Sequence, residues 1–311
     1  MVLRLPEDVI AQLNEYRGDD RTYDCVVPFS GGKDSSALLY TLAEETGLRI
    51  LAFTLDYWFI SQGAFENIKT VLKSAGVDHL MIRPSWRLVQ NMYQKALYET
   101  GEICVVCEAL LAGSIYRIAI EKQIPAVVWA LVEGQFRTPP SWVIKVDRGH
   151  LGKVYNRRIR PLSRICGEDS PEFKHFERVY GFAEYLCVGE EVGLPDDVFP
   201  YLCIKYDSDE VERAANGIGW KRPSDTVGIS SNCLACDLHN YLKKRRHSRD
   251  ELLKGVVELV GKGLVSYERA MQVLDREEDA TMAQNRLRDM GVTVSLEEYS
   301  RTVRHVEKRL R

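Results

Sequence analysis

Two groups of residues in this chain have the types and spacing to do chemistry. The first is Ser30-Gly31-Gly32-Lys33-Asp34-Ser35-Ser36, which follows the apolar run Cys25-Val26-Val27-Pro28-Phe29 and precedes Ala37-Leu38-Leu39. Glycines at 31 and 32 let backbone N–H groups approach an anion with no Cβ in the way. A helix opening at this point adds its unpaired N–H groups and positive dipole end, which favours phosphate. Ser30, Ser35 and Ser36 offer hydroxyls, Lys33 a compensating charge, and Asp34 a contact for Mg²⁺. A serine-capped strand-to-helix turn is the plainer alternative, but it requires neither two glycines nor a lysine. The spacing also differs from the Walker loop, whose Lys-Ser/Thr pair follows a longer glycine-bounded spacer.

The second group is a pair of CxxC motifs, Cys104-Val-Val-Cys107 and Cys233-Leu-Ala-Cys236. Four thiolates suit Zn²⁺ or an iron–sulfur cluster. The first pair is expected just before a helix and the second after a Pro-Ser-Asp break, again before helical sequence, and both settings favour the thiolate. A structural zinc clip, a cluster or persulfide site facing a nucleotide, and unrelated buried cysteines all remain open on spacing alone. Cys25, Cys166, Cys187 and Cys203 are scattered and read as small buried hydrophobes.

Alternating strand and helix patterns must hold these groups. After a lead-in helix within residues 1 to 20, strands are expected near 25–29, 49–56, 79–83 and 126–132, separated by amphipathic helices at 33–47, 65–76, 86–98 and 108–122. That alternation predicts an α/β fold, a doubly wound and mostly parallel sheet with a mostly helical C-terminal part. The expected division is an α/β domain over residues 1–165 that carries the glycine loop and a helical region over 166–311 carrying the second CxxC. Ligands of such sheets sit at the carboxyl ends of the strands, making Asp56, its neighbour Tyr57, and Gly134 candidates. Residues 136–170 read as the least regular stretch, a solvated loop or a flap over the site. Helices are expected at 173–189 and 207–217, an extended run at 200–207, capped helices from Ser248 and Ser266, and a charged helical tail over 276–311.

The bulk numbers exclude some classes. The chain has 311 residues, of which 45% are hydrophobic and 28% charged, with no apolar run long enough to span a bilayer and no secretory pattern at its start. A cytoplasmic protein is expected. A net charge of −3 argues against a chain that coats itself on nucleic acid.

SGGKDS resembles the PP-loop of the ATP pyrophosphatase (adenine nucleotide alpha hydrolase) superfamily. The resemblance implies ATP and Mg²⁺, cleavage between the α and β phosphates, adenylation of a substrate oxygen, and displacement of AMP by sulfur or nitrogen. It implies phosphate binding by Ser30, Gly31, Gly32, Lys33, Asp34, Ser35 and Ser36. Gly101 to Arg117 is similar to the tRNA 2-thiocytidine synthetases, in which paired cysteines hold a [4Fe-4S] cluster. That likeness implies Cys104, Cys107 and Cys233 as ligands, with Cys236 a fourth ligand or a sulfur carrier, and Zn²⁺ as the alternative occupant. Ile159-Arg160-Pro161-Leu162 resembles the Arg-Pro-Leu of PP-loop thiolation enzymes, implying Arg160 as a phosphate or substrate ligand.

Residues Tyr23–Ser36, Ile124–Trp129 and Cys233–Leu274 resemble the N-acetyl sugar amidotransferases, which take ammonia from a glutaminase partner. Their cysteine-rich N-terminal segment is missing here. So is the Gly-His-His sequence of the tRNA enzymes, where Val132-Glu133-Gly134-Gln135 stands. The expectation is a sulfurtransferase acting on a nucleobase, nucleotide or other small heterocycle in preference to tRNA, supplied by a sulfur donor such as a cysteine desulfurase. An amidotransferase and a non-catalytic nucleotide-binding module are the alternatives, and a homodimer is compatible with all three.

Overall fold

The computed structural model describes residues 3–136, 138–187, 193–226, 230–277 and 279–299. A six-stranded sheet runs through its centre in the order β3-β2-β1-β4-β6-β5. The strands are β1 (Cys25–Pro28), β2 (Ile50–Leu55), β3 (Asp78–Ile82), β4 (Ala126–Val128), β5 (Val143–Ile144) and β6 (Asp196–Val198). All pairings are parallel except β5 with β6.

Helices cover both faces, so the central strands are apolar throughout, and the period-two alternation of side chains sorts them into two cores. Val26, Leu51, Phe53 and Val127 join α4 (Trp86–Thr100) and α5 (Cys104–Glu121) in one core. Cys25, Val27, Ile50, Ala52, Ala126 and Val128 join α1 (Glu7–Asn14), α2 (Lys33–Glu45), α3 (Gln62–Ala75) and α9 (Ser208–Gly217) in the other. Cys25 is a buried core residue, as its surroundings in the sequence suggest, whereas Cys187 is exposed.

The expected strands at 49–56 and 79–83 form, and the fourth is shorter than its apolar run. The stretch 136–170 departs most. It contains β5, α6 (Arg148–Val154), a π-helical turn over Tyr155–Ile159 and α7 (Arg160–Cys166), so much of it is helical rather than irregular. Leu151, Ile159 and Leu162 are buried along it, and that apolar spacing is hidden in the sequence by the arginines and lysines between. Where an extended run is expected at 200–207 there is a 3₁₀ turn at Pro200–Cys203, and the strand, β6, lies just before it. β6 lies between β4 and β5, so the sheet is completed from the part expected to be mostly helical.

The helix expected at 173–189 is α8 (Pro171–Val179) with a 3₁₀ turn at Ala183–Leu186. The remainder is helical: α10 (Cys236–Arg246), α11 (Arg249–Gly261), α12 (Tyr267–Asp275) and α13 (Ala280–Asp289). Ser248 forms the expected capping box with Glu251, and Ser266 caps α12. The end of the charged tail, 300–311, lies outside the described residues. No described helix is long and apolar enough to cross a membrane.

Candidate functional site

Chain order runs outward from β1 through β2 to β3, then returns to place β4 on the other side of β1. Such a switch leaves a crevice at the carboxyl ends of the two central strands. A cavity of about 380 Å³ opens there. Phe29, Ser30, Gly32, Asp34 and Ser35 line it after β1, Tyr57 after β2, and Trp129, Ala130, Leu131 and Gln135 after β4. Cys107, Glu108 and Leu111 of α5 and the segment Ser230-Ser231-Asn232 complete the wall.

The loop is held from behind by residues distant in sequence. Gly31 has φ +71°, and a Cβ there would stand 2.5 Å from the Ala64 carbonyl oxygen and 2.8 Å from Ile68 Cγ1. Glycine is therefore required by conformation and by space. Trp220 Nε1 donates to the Gly31 carbonyl at 2.9 Å. Ser231 Oγ accepts from the Lys33 N–H at 3.2 Å, taking one orphan donor of the helix start. Ser35 Oγ donates to the Gly32 carbonyl and accepts from Ser30 N–H at 3.3 Å. Ser36 is fully buried with an unpartnered hydroxyl and does not line the cavity.

Lys33 points elsewhere. Its ammonium contacts Asp34 Oδ1 at 2.8 Å and the Tyr206 hydroxyl at 2.6 Å, and its side chain is only 7% exposed. Among the described lining residues there is no lysine or arginine, while Asp34 and Glu108 bring carboxylates. A polyanion seated there needs a divalent cation and helix termini in place of a fixed side-chain cation, and this donor set fits Mg²⁺.

Helix termini are supplied in number. Ser61, Ser85, Asp147, Ser170, Asp207, Ser248, Ser266 and Asp279 cap their helices through side chains. The three helices that begin at the site, α2, α5 and α10, have no N-cap side-chain bond. α1 and α7 also lack one, and at α2 Ser231 takes the Lys33 N–H, but the positive ends at the site can still favour an anion, phosphate or thiolate.

The cysteines gather at the opposite wall. Both CxxC pairs occupy the first turn or threshold of a helix: Cys104 starts α5 and Cys236 starts α10. The second pair is fastened to the chain after β2. Ile60 and Cys233 form an antiparallel bridge, Ser61 N–H donates to the Asn232 carbonyl at 2.9 Å, and Leu234 N–H donates to the Phe59 carbonyl at 2.8 Å. Tyr93 Oη lies 3.1 Å from Cys107 Sγ. Tyr57 is held well above its usual pKa by burial and by the neighbouring Cys233, Cys107 and Cys236.

Burial pushes the Cys107 thiol up to about 12 against the opposing Tyr93 bond, so the helix terminus does not by itself make this thiolate, contrary to the expectation from sequence. Cys236 moves down to about 7 because Cys233 donates to it, with burial opposing and the Ser230 hydroxyl assisting. Soft thiol donors from two segments thus meet beside the cavity, and their chemistry suits Zn²⁺ or an iron–sulfur cluster. Among the described residues, no three Cys, His, Asp or Glu side chains stand in a metal-binding arrangement.

Other candidates lie apart. The Asp56 carboxylate is buried, accepts from Trp58 N–H at 2.8 Å and pairs with Arg83 at 2.5 Å, so it holds the turn in which Trp58 has φ +74°. It does not line the cavity, but Tyr57 does. A Cβ on Gly134 would overlap Leu264, so this glycine admits the C-terminal region rather than a ligand, and Gln135 next to it reaches the cavity. Arg160 is exposed at the start of α7 and is not among the lining residues. Ser230, Ser231, Asn232 and Tyr206 escape motif reading because polar residues in a break look like solvated loop. For Ser230, Ser231 and Asn232 the available signal was adjacency to the second CxxC; for Tyr206 there was none.

Residues 24–113 match the family model described as queuosine biosynthesis protein QueC. An uncharacterized protein of Methanocaldococcus jannaschii is 22% identical over 93% of this chain and 84% of its own length. A glutamine-hydrolyzing GMP synthase of Pyrobaculum aerophilum is 31% identical over 28% of this chain and 17% of its own length. Among solved structures, the tRNA thiolase NcsA of Methanococcus maripaludis, with its [4Fe-4S] cluster, matches at 14% identity and TM-score 0.38, covering 88% of this chain and 79% of that one. The NH3-dependent NAD synthetase of Campylobacter jejuni subsp. jejuni matches at 12% identity and TM-score 0.38, covering 93% and 96%. The segment matched by the family model runs from β1 through the glycine loop and α2 into α5, so the likeness covers the loop and the first of the two CxxC pairs.

Proposed function

We propose that this chain is an ATP-dependent sulfurtransferase that activates a carbonyl oxygen of a nucleobase, nucleotide or similar small heterocycle as its adenylate and replaces that oxygen with sulfur. One observation carries the reading: the phosphate loop and Cys107 line the same cavity, with the strand holding Cys233 closing its wall. A nucleotide site alone has no use for a thiol there, and a structural clip has no use for an opening onto the nucleotide.

Each part of the wall has a role in this reaction. Gly31 and Gly32 shape the loop for the phosphates, Ser30 and Ser35 donate hydroxyls, and the start of α2 favours the charge that develops on pyrophosphate. Asp34 would hold Mg²⁺. The substrate oxygen attacks the α-phosphorus and pyrophosphate leaves. For a lactam, the ring N–H proton is released in the same activation. Sulfur at the sulfide level then attacks the carbon, and AMP departs with the original oxygen. Cys104, Cys107 and Cys233 would hold a [4Fe-4S] cluster, which when bound through three cysteines supplies an open position for that sulfur, with Cys236 left free. With Cys236 as a fourth ligand the cysteines would instead hold a closed cluster or a zinc ion that fixes the wall without carrying sulfur. The apolar lining from Phe29, Phe53, Leu55, Leu111 and Trp129 suits flat rings better than a polyanionic RNA.

The test is anaerobic incubation of cluster-reconstituted protein with ATP, Mg²⁺, sulfide and a set of lactam nucleobases and nucleoside monophosphates. Pyrophosphate and AMP should form with a thiocarbonyl absorbance, and ATP turnover without any thiolated product removes the reading. An amidotransferase is the second reading, supported by the local match to the glutamine-hydrolyzing GMP synthase. Product formation with ammonia in place of sulfide, unaffected by loss of the cysteines, would establish it.

A further inference from the structure

The loop lysine and aspartate are engaged by a residue outside the matched segment. Tyr206 precedes α9 and meets α2 at its first turn. Its hydroxyl lies 2.5 Å from Asp34 Oδ1 and 2.6 Å from Lys33 Nζ, while Lys33 Nζ lies 2.8 Å from the same Oδ1. The bonds form a closed triangle in which lysine donates to tyrosine and aspartate, and tyrosine donates to aspartate. Tyr201 supports it from below, donating to the Asp34 carbonyl at 2.7 Å with its ring 5.6 Å from that of Tyr206. Burial and the Asp34 charge hold Tyr206 far above its usual pKa, which keeps the hydroxyl proton in place for donation.

This arrangement gives the two loop residues different duties. Lys33 is spent on the triangle and does not line the cavity, whereas Asp34 does, with 35% of its side chain exposed. Tyr206 and Lys33 both donate to Oδ1, and among the described residues Oδ2 has no side-chain donor, while Asp34 lines a cavity that has no lysine or arginine among its described lining residues.

We propose that Tyr206 is a positioning residue for metal–triphosphate binding: with Lys33 it fixes the Asp34 carboxylate so that its second oxygen meets the divalent cation carried by ATP. This rests on the reading that the loop binds ATP. Lys33 is then an internal counter-ion rather than a phosphate ligand, and the triphosphate charge is balanced through the metal.

Calorimetric titration of the full chain with Mg-ATP, and with ATP in excess chelator, tests the proposal. Wild type should bind Mg-ATP more tightly than metal-free ATP. Tyr206→Phe, which keeps the ring and loses the hydroxyl, should weaken Mg-ATP binding about tenfold, the size of a hydrogen bond to a charged group, and leave metal-free ATP unchanged. Asp34→Asn should erase the preference for the metal complex. Unchanged or tighter Mg-ATP binding by Tyr206→Phe, an equal loss for both forms of ATP, or a metal preference that survives Asp34→Asn overturns the proposal. Thermal melts establish folding. Should Tyr206→Phe not fold, Tyr206→His, which retains a ring N–H donor, is titrated instead and should keep part of the metal preference. Wild-type protein that binds neither form of ATP defeats the ATP reading itself, an outcome separate from failure at Tyr206.

Discussion

The two walls of the cavity are built on opposite terms. At the glycine loop, Gly31, Lys33 and Asp34 already have partners supplied by Trp220, Ser231 and Tyr206, and Ser35 bonds within the loop to Gly32 and Ser30. At the cysteine wall, burial holds Cys107 protonated, and the four thiols come near one another without forming a metal-binding arrangement. The glycine loop is preorganised because backbone geometry makes it, and backbone geometry does not wait for a ligand. Thiolates in an apolar wall carry a charge cost that a bound cation or cluster would remove, so on the proposed reading this wall would be completed only on loading.

Four experiments probe that contrast. Cys233→Ala should give the largest effect, reducing sulfur incorporation to background while Mg-ATP affinity is retained. Product analysis beside calorimetry reads both, and parallel loss of ATP binding would show that the walls are not separable. Gly31→Val should cost about 3 kcal/mol of stability from its left-handed backbone and the clash with Ala64 and Ile68. Chemical denaturation measures this, and a neutral result would mean that the loop is not preformed.

Ser231→Ala removes a bond between the walls and should cost about 1 kcal/mol with a few-fold loss in Mg-ATP affinity. The smallest effect is kinetic and uses metal-free protein. Because Cys236 lies below its ordinary value, its contribution to stability is present above the unfolded thiol pKa and fades as pH falls through about 7. Its alkylation should therefore set in at lower pH than that of an ordinary thiol, while Cys107 remains unreactive until strongly alkaline pH. Equal profiles for the two would remove the difference assigned to their surroundings.

How far the sequence discloses this site follows the same division. SGGKDS specifies the loop because two glycines and a helix start are local features, and the alternating apolar runs specify the sheet that carries it. The cysteine pairs announce a site without showing how they meet, since the bridge between Ile60 and Cys233 joins segments far apart in the chain. Asp56 shows the limit of position as an argument. It sits at a strand end, as a ligand-binding acid should, yet its carboxylate stabilises the turn at Trp58. Lys33 shows the limit of residue type, because only the tertiary fold places Tyr206 beside it. The helical stretch 148–166 was hidden by its charge, which lies on the exposed side of buried Leu151, Ile159 and Leu162.

The place of β6 in the sheet has a practical consequence. Chain order and spatial order disagree at this edge: the strand that covers β4 is made some seventy residues after it (128 to 196). During synthesis β4 must wait with one side unpaired while α6 to α8 are made. A fragment ended near residue 165 would keep that state permanently, presenting an apolar, parallel strand edge to other copies of itself. Such a piece is expected to aggregate rather than to behave as a small ATP-binding module, and supplying residues 193–226 in trans should restore its solubility before it restores any chemistry.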